Sequence, residues 1–369
     1  MAGYIFNIDV STNVNEIMKK GIYSTFLKTL TSTPFEGTFA DYVTMDEGDN
    51  VYFFQKRKIY GVGRLKKVGL DCKYNNYIGA TEPINYSYEK IKESLIVDFG
   101  LESQKYRWVC FFEGSPKMMV SGLDMDEVLE YKPETFRSLR TMWKKSFIKI
   151  DDTENKSLKE LFFLRAFNEE TNYDVVCNYS EYLEKITNRH LLNYKDLIKY
   201  TRYKEKLVHE MAVEASTLAK IKLIENNIFG KWDFITHQVC ASPFKPVDYM
   251  DKMDIFAYKY TEIDTEKVIS KYMVIELKKD SANVGTMTQV TNYVDWICNN
   301  YAYGNYSLIE AYILAADFDS EMYEYKEITE RIYNLGSHPI QVKRWSNLKF
   351  IKYKIIDDDI EYDDVTNTN

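Results

Sequence analysis

Apolar residues change their spacing several times along this chain, and each change marks an element. Residues 252–258 (Lys-Met-Asp-Ile-Phe-Ala-Tyr) and 272–279 (Tyr-Met-Val-Ile-Glu-Leu-Lys-Lys) are short, apolar and rich in β-formers. They predict two adjacent strands, with the polar stretch 261–271 separating them. Residues 286–302 put Met287, Val290, Val294 and Ile297 on one helical face, and 309–316 is apolar enough for a buried strand. Upstream, Leu207, Met211, Leu218, Ile221 and Ile224 form a helical stripe across 203–226.

The first 150 residues have a different rhythm. Gly3–Asp9 reads as a strand, Val14–Lys20 as a short helix stopped by Gly21, and 47–55 and 59–65 as strands. Gly48-Asp49 reads as a turn and Lys56-Arg57-Lys58 as a hairpin tip. Phe53, Phe54, Phe111 and Phe112 read as core, because aromatic runs on strands pack. Between the two halves, 157–202 is mostly helical and lacks the Gly, Ser or Pro richness of a tether, so it reads as a helical connector.

Three polar positions in the second half stand out against this pattern. Asp254 interrupts Met253-Ile255-Phe256, and Glu276 interrupts Tyr272-Met-Val-Ile-Glu-Leu277, where an unpaired carboxylate is costly. Alternation along a strand points Glu276 and Lys278 the same way, and Asp254 reaches them from the neighbouring strand. Such a Glu-x-Lys is ordinarily an exposed charge pair. Two carboxylates with a backbone carbonyl and waters also suit Mg²⁺, and an adjacent cation suits phosphate chemistry. Gln289 and Tyr293 lie one turn apart on the following helix. On the upstream helix Glu210 and Glu214 are both candidates for a further ligand, Glu214 having the more apolar neighbours. Asp248 and Asp251 precede the strand and rank below Asp254.

The order Asp254, Glu276-x-Lys278, then a helix with Gln289-x-x-x-Tyr293, resembles the PD-(D/E)xK nuclease superfamily. That resemblance implies a restriction-endonuclease-like αβ core with a mixed central sheet. It implies Mg²⁺, with Mn²⁺ as a substitute, bound by Asp254 and Glu276. Lys278 would position water, Gln289 would orient Lys278 or the phosphate, and Glu214 would complete the site. Lys20-Gly-Ile-Tyr-Ser-Thr25, and Gly48-Asp49-x-Val51 followed by Gly61-Val-Gly63, resemble the PUA-like fold, in particular its EVE and YTH members. That implies a β-barrel-type domain holding a flipped, modified base, with Tyr23 as a wall and Tyr60 or Trp108 as partners. The expected class is therefore α+β, with a PUA-like domain at 1–152, the connector at 153–202, the nuclease domain at 203–356 and an acidic tail at 357–369.

Charge changes the picture only locally. The net charge of −8 argues against a nucleic-acid partner, but basic residues cluster. Arg57 and Lys58 form one group. Arg137, Arg140, Lys144, Lys145 and Lys149 form another, interleaved with Phe136, Trp143 and Phe147, and suit a phosphate-tracking surface or an ordinary element face equally. The run Asp357–Asp364 reads as a disordered or edge segment. Five scattered cysteines without a Cys-x-x-Cys predict free thiols in a reducing compartment, and zinc is not expected. No stretch approaches a membrane span, so a cytoplasmic protein is expected.

Together these features predict a modification-dependent restriction endonuclease in anti-phage defence, acting on DNA, with a homodimer expected from the resemblance. The alternative is a nuclease effector of another prokaryotic immune system whose first domain is regulatory or oligomerising, with DNA or RNA as substrate. A non-enzymatic nucleic-acid-binding protein with a degenerate nuclease fold is opposed by the intact Asp/Glu/Lys set.

Overall fold

The computed structural model describes residues 2–29, 32–66, 72–74, 87–137, 146–168, 182, 184, 192–204, 206–223, 228–241 and 251–367. The chain divides into two compact units, Met1–Asn193 and Tyr194–Asn369, each mixing helices with a mixed sheet.

In the first unit the strands are β1 (Gly3–Asn7), β2 (Ile22–Phe26), β3 (Asn50–Gln55), β4 (Lys58–Leu65), β5 (Cys72–Tyr74), β6 (Tyr106–Asp124) and β7 (Phe147–Ile150). They form one sheet in the order β2-β6-β4-β3-β1-β7, with β5 also paired to β6. β1 and β3 are parallel, and the other pairs are antiparallel. The expected helix Val14–Lys20 forms and ends at Gly21, whose left-handed φ of 65° lets its N–H reach Ile17 O. Phe53, Phe54, Phe111 and Phe112 are all buried, as their pattern predicts.

The helix Asp152–Asn168, expected to open the connector, belongs instead to the first unit. Leu158, Leu161, Phe162 and Ala166 bury into a cluster with Ile5, Tyr52, Ile148 and Ile150. Asn155 pins the helix: its Oδ1 accepts from Tyr52 Oη at 2.8 Å and Asn50 Nδ2 at 3.0 Å. Gly3 is required there, since a Cβ on it would sit 2.8 Å from that same oxygen.

The second unit opens with the helix Tyr194–Thr201, the short pair β8 (Arg202–Tyr203) and β9 (Lys206–Leu207), and the helix Glu210–Leu223. Its main strands are β10 (Phe234–Cys240), β11 (Lys252–Ile263), β12 (Glu266–Ala282) and β13 (Ile309–Phe318). A hairpin of β14 (Arg331–Leu335) and β15 (Gln341–Trp345) precedes β16 (Leu348–Ile356) and β17 (Asp359–Asp364). The sheet order is β10-β11-β12-β13-β16-β17. β12, β13 and β16 run parallel, while β10, β11 and β17 are antiparallel to their neighbours. The helix Val284–Asn300, started by an Asn283–Thr286 capping box, makes the crossover from β12 to β13.

Two expectations change here. The polar stretch 261–271 does not separate the strands; it continues both as an exposed ribbon that closes at Asp264-Thr265. Of the two readings of the acidic run, the edge segment is the one found and the disordered tail is not: residues 359–364 form the edge strand β17. The physical reason is shared. Asp264 and Thr265 (φ 49° and 73°), and Asp357 and Asp358 (φ 49° and 58°), are left-handed pairs, as a two-residue I′ hairpin turn requires. Lys56 and Arg57 (φ 50° and 62°) do the same at the expected β3–β4 tip. None of the three turns contains glycine, so the usual hairpin signal is missing. The acids of β17 are also neutralised: Asp359 receives Lys195, Lys220 and Tyr194, and Asp358 pairs with Arg202.

No helix among the described residues is long and apolar enough to cross a membrane. Cys110, Cys240 and Cys298 are free thiols.

Candidate functional site

The site begins where two strands part. The β11–β12 ladder runs from the turn, with one register shift between Tyr260 and Lys259, to Ile255 opposite Ile275 and stops there. The next inward-facing amide, Leu277 N, donates instead to Asp254 Oδ2 at 2.8 Å. A side-chain carboxylate thus takes the place of a backbone partner, which holds Asp254 against β12 beside Glu276 and Lys278.

Glu276 is 1% exposed, and its Oε1 accepts from Lys278 Nζ at 2.7 Å. Its Oε2 is buried and accepts from no donor group among the described residues, facing instead the neighbouring Asp254 carboxyl. Lys278 Nζ also donates to Leu277 O at 2.9 Å and lies 3.7 Å from Glu210 Oε1. The helix Glu210–Leu223 therefore brings both candidate acids to the site, in different places. Glu210 is on the rim, where its Oε2 accepts from Lys279 N at 3.2 Å. Glu214 is buried: its Oε1 meets His237 Nδ1 at 2.7 Å and its Oε2 accepts from Gln238 Nε2 at 2.8 Å. Gln238 Nε2 reaches Asp254 Oδ1 as well, at 3.1 Å.

These groups do not ionise freely. Burial pushes the Asp254 carboxyl well above the usual carboxylate range, and the negative charges of Glu276 and Glu214 push it further. Burial also raises Glu276, against the opposing pull of Lys278. Burial disfavours the Lys278 cation, yet Glu276, Glu210 and Asp254 outweigh it and hold the ammonium above its ordinary value. These neighbours favour the Lys278 ammonium.

Gln289 is half-buried one turn from Tyr293, and its Nε2 donates to Tyr293 Oη at 2.8 Å; Tyr293 in turn donates to Lys252 O at 2.9 Å. The pair therefore braces the start of β11, rather than Gln289 meeting Lys278 directly. Asp251 is exposed, and Asp248 lies outside the described residues. His237 and Gln238 are the two site residues that sequence reasoning missed; a His-Gln pair on a short apolar strand carries no distinguishing spacing.

The expected base-reading residues do not converge. Tyr23 is half-buried, tilted against Phe6 and edge-on to Phe147, and lines a cavity of about 600 Å³ with Phe26, Phe99 and Tyr106. Tyr60 lines a different cavity, of about 340 Å³. Trp108 is not a wall at all: it is 1% exposed, packed against Phe35, Phe39 and Tyr42 in the core. Not every expected basic residue is at the surface. Lys149 is buried and donates to Thr44 O, and Phe136 and Phe147 are core residues. Arg57 pairs with Asp126 at the hairpin tip, Lys58 Nζ donates to Ser121 O, and Arg137 is exposed. Arg140, Trp143, Lys144 and Lys145 lie outside the described residues.

Among the described residues, no group of three or more His, Cys, Asp and Glu side chains is disposed to enclose a metal ion. The donor set fits a lightly held hard cation better than an enclosed one. Asp254 and Glu276 offer adjacent carboxylate oxygens, one of them buried and without a donor among the described residues, and Mg²⁺ typically takes one or two carboxylates and keeps several waters. Comparison of the chain with protein-family models and with curated proteins gives no match, so the site is read from its own geometry.

Proposed function

We propose that the second unit is a Mg²⁺-dependent endodeoxyribonuclease of the PD-(D/E)xK kind, and that the chain acts as a modification-dependent restriction enzyme in defence against phage. The observation that carries the nuclease reading is Glu276 Oε2, a buried carboxylate oxygen with no donor among the described residues, set beside the Asp254 carboxyl and Lys278. Leaving such a group unsatisfied costs about 1–3 kcal/mol, and more when it is charged. A divalent cation between the two carboxylates would remove that cost and let both ionise.

Asp254 and Glu276 would hold the metal, with Mn²⁺ able to replace Mg²⁺. When bound, it would polarise the scissile phosphate and lower the pKa of an attacking water. Lys278, favoured as the ammonium, would orient that water and stabilise the charge that builds on the phosphate. Glu210, on the rim and 3.7 Å from Lys278, would restrain the lysine between turnovers.

Base reading rests on the cavity beside Tyr23, whose aromatic lining suits a planar ring. The burial of Trp108 and the separate position of Tyr60 favour a second reading of the first unit. There it is a regulatory or oligomerising module of a nuclease effector, with DNA or RNA as substrate.

The test is Mg²⁺-dependent cleavage by wild type and Lys278→Ala on matched DNAs, plain, cytosine-methylated, hydroxymethylated, glucosylated and adenine-methylated, with an RNA of the same sequence. Cutting confined to modified DNA and lost in the variant is the expected result. Equal cutting of all DNAs would keep the nuclease and discard the base reader. Cutting that survives Lys278→Ala would remove this site from the chemistry.

A further inference from the structure

Gln238 has a backbone that a strand residue should not have. It lies inside β10, whose antiparallel register with β11 holds on either side of it, from His237 opposite Ile255 to Val239 opposite Met253, while Gln238 itself is left out of the ladder with a φ of +53°. A non-glycine residue held in the left-handed region costs about 1–2 kcal/mol and persists only where its surroundings require it.

The requirement is visible in what the twist achieves. Consecutive side chains on a strand ordinarily point to opposite faces. His237 and Gln238 are consecutive, yet both reach the same carboxylate, His237 at Glu214 Oε1 and Gln238 at Glu214 Oε2. The same Nε2 spans to Asp254 Oδ1, so one amide nitrogen bridges two carboxylates at 2.8 and 3.1 Å. Two acidic side chains converging on a point from a helix and a strand is the arrangement that would otherwise hold a cation. Here the point is taken by a neutral donor, and both oxygens of Glu214 are engaged. The carboxylate oxygen without a donor among the described residues is on the other side, at Glu276.

We propose that the Gln238 carboxamide stands in the position of a second divalent cation between Glu214 and Asp254, so that the centre takes up one metal ion, at Asp254 and Glu276. This rests on the metal-dependent reading above and deepens it: Glu214 is a positioning residue that aims Gln238 and His237, and the nuclease is a one-metal enzyme. The bridge also fixes Asp254 Oδ1, leaving its orientation independent of whether metal is present.

The experiment counts bound Mn²⁺ per chain by electron paramagnetic resonance and by isothermal titration, on full-length wild type, Gln238→Ala and Gln238→Gly. Glycine accepts the left-handed backbone without strain, so the second variant keeps the fold where alanine does not. The expected result is one Mn²⁺ in wild type and two in a variant. Two ions in wild type, or one in both wild type and the folded variants, would overturn the role of Gln238 while leaving the metal site intact. No Mn²⁺ bound to wild type would instead overturn the metal-dependent reading, and the inference with it.

Discussion

The amide of Leu277 donates to the carboxylate of Asp254 at 2.8 Å, just beyond the last backbone pair between their two strands. One hydrogen bond thus joins the element that carries Glu276 and Lys278 to the element that carries the second acid. It is made where the sheet opens, so the carboxylates are set by the sheet and not by a loop. Sites built on strands are held more tightly than sites built on loops.

The same arrangement is a source of strain without a cation. Asp254 is disfavoured as a carboxylate by burial and by Glu276 and Glu214. Asp254→Asn removes a charge and keeps an acceptor for Leu277 but turns an amide donor towards Gln238 Nε2, and with the loss of charge outweighing that lost bond it should raise the melting temperature in EDTA by roughly 2–4 °C at most, equivalent to about 1 kcal/mol. The variant should lose the upward shift that Mg²⁺ produces in wild type. Differential scanning fluorimetry in EDTA and in Mg²⁺ measures both; a lower melting temperature for the variant in EDTA would show the charge to be stabilising.

Asp359 titrates in the opposite sense. It is partly buried, which by itself would raise its pKa, but Lys220, Lys195 and Tyr194 more than reverse this and hold it down to about 2 from 3.8. A carboxylate depressed on folding stabilises above its unfolded pKa, and that contribution is lost as the pH falls towards 2. Asp359→Asn should therefore cost about 1 kcal/mol at pH 7, solvent screening at this partly exposed site being allowed for, and the gap between variant and wild type should close between about pH 4 and pH 2. Urea unfolding across that range reads it directly, and a gap that stays constant with pH would remove the ion pairs as its cause.

Trp108 and Tyr60 should separate cleanly. Trp108→Ala empties a space among Phe35, Phe39 and Tyr42 and should cost roughly 3–5 kcal/mol, while the half-exposed Tyr60→Ala should cost about 1 kcal/mol or less. Chemical denaturation of the two variants checks this; equal costs would contradict the core assignment of Trp108.

The glycine-free tip at Asp264-Thr265 offers a gain. Replacing it with Asn-Gly, which adopts two successive left-handed residues at less cost, should stabilise the second unit by about 0.5–1 kcal/mol. Thermal unfolding would show it, and a loss would mean that Asp264 or Thr265 makes a contact the new pair cannot.

What was legible in the sequence is what depends on local pattern. Asp254, Glu276 and Lys278 could be found because polar residues interrupt apolar strands and alternation puts two of them on one face. Gln238 could not, because its role comes from a backbone angle that its residue type does not announce. The acids at 357–364 read as solvated because the cations that neutralise them are remote: Lys220 is separated from Asp359 by 139 positions. Trp108 and Tyr60 are both aromatic and near strands; only tertiary packing makes one core and the other surface.

The exposed ribbon of β11 and β12 has a consequence for the chemistry at its far end. Its tip lies ten residues beyond Asp254, roughly 33 Å along a strand. The tip nevertheless sets which residue of one strand stands opposite which of the other, and a single irregularity near Lys259 and Tyr260 adjusts the count on the way in. A slip of one residue would turn Glu276 and Lys278 to the opposite face and bring Ile275 and Leu277 inward. The hairpin thus acts as a gauge: a two-residue turn in solvent, together with the one-residue irregularity on the way in, determines that an acid and a lysine face inward together.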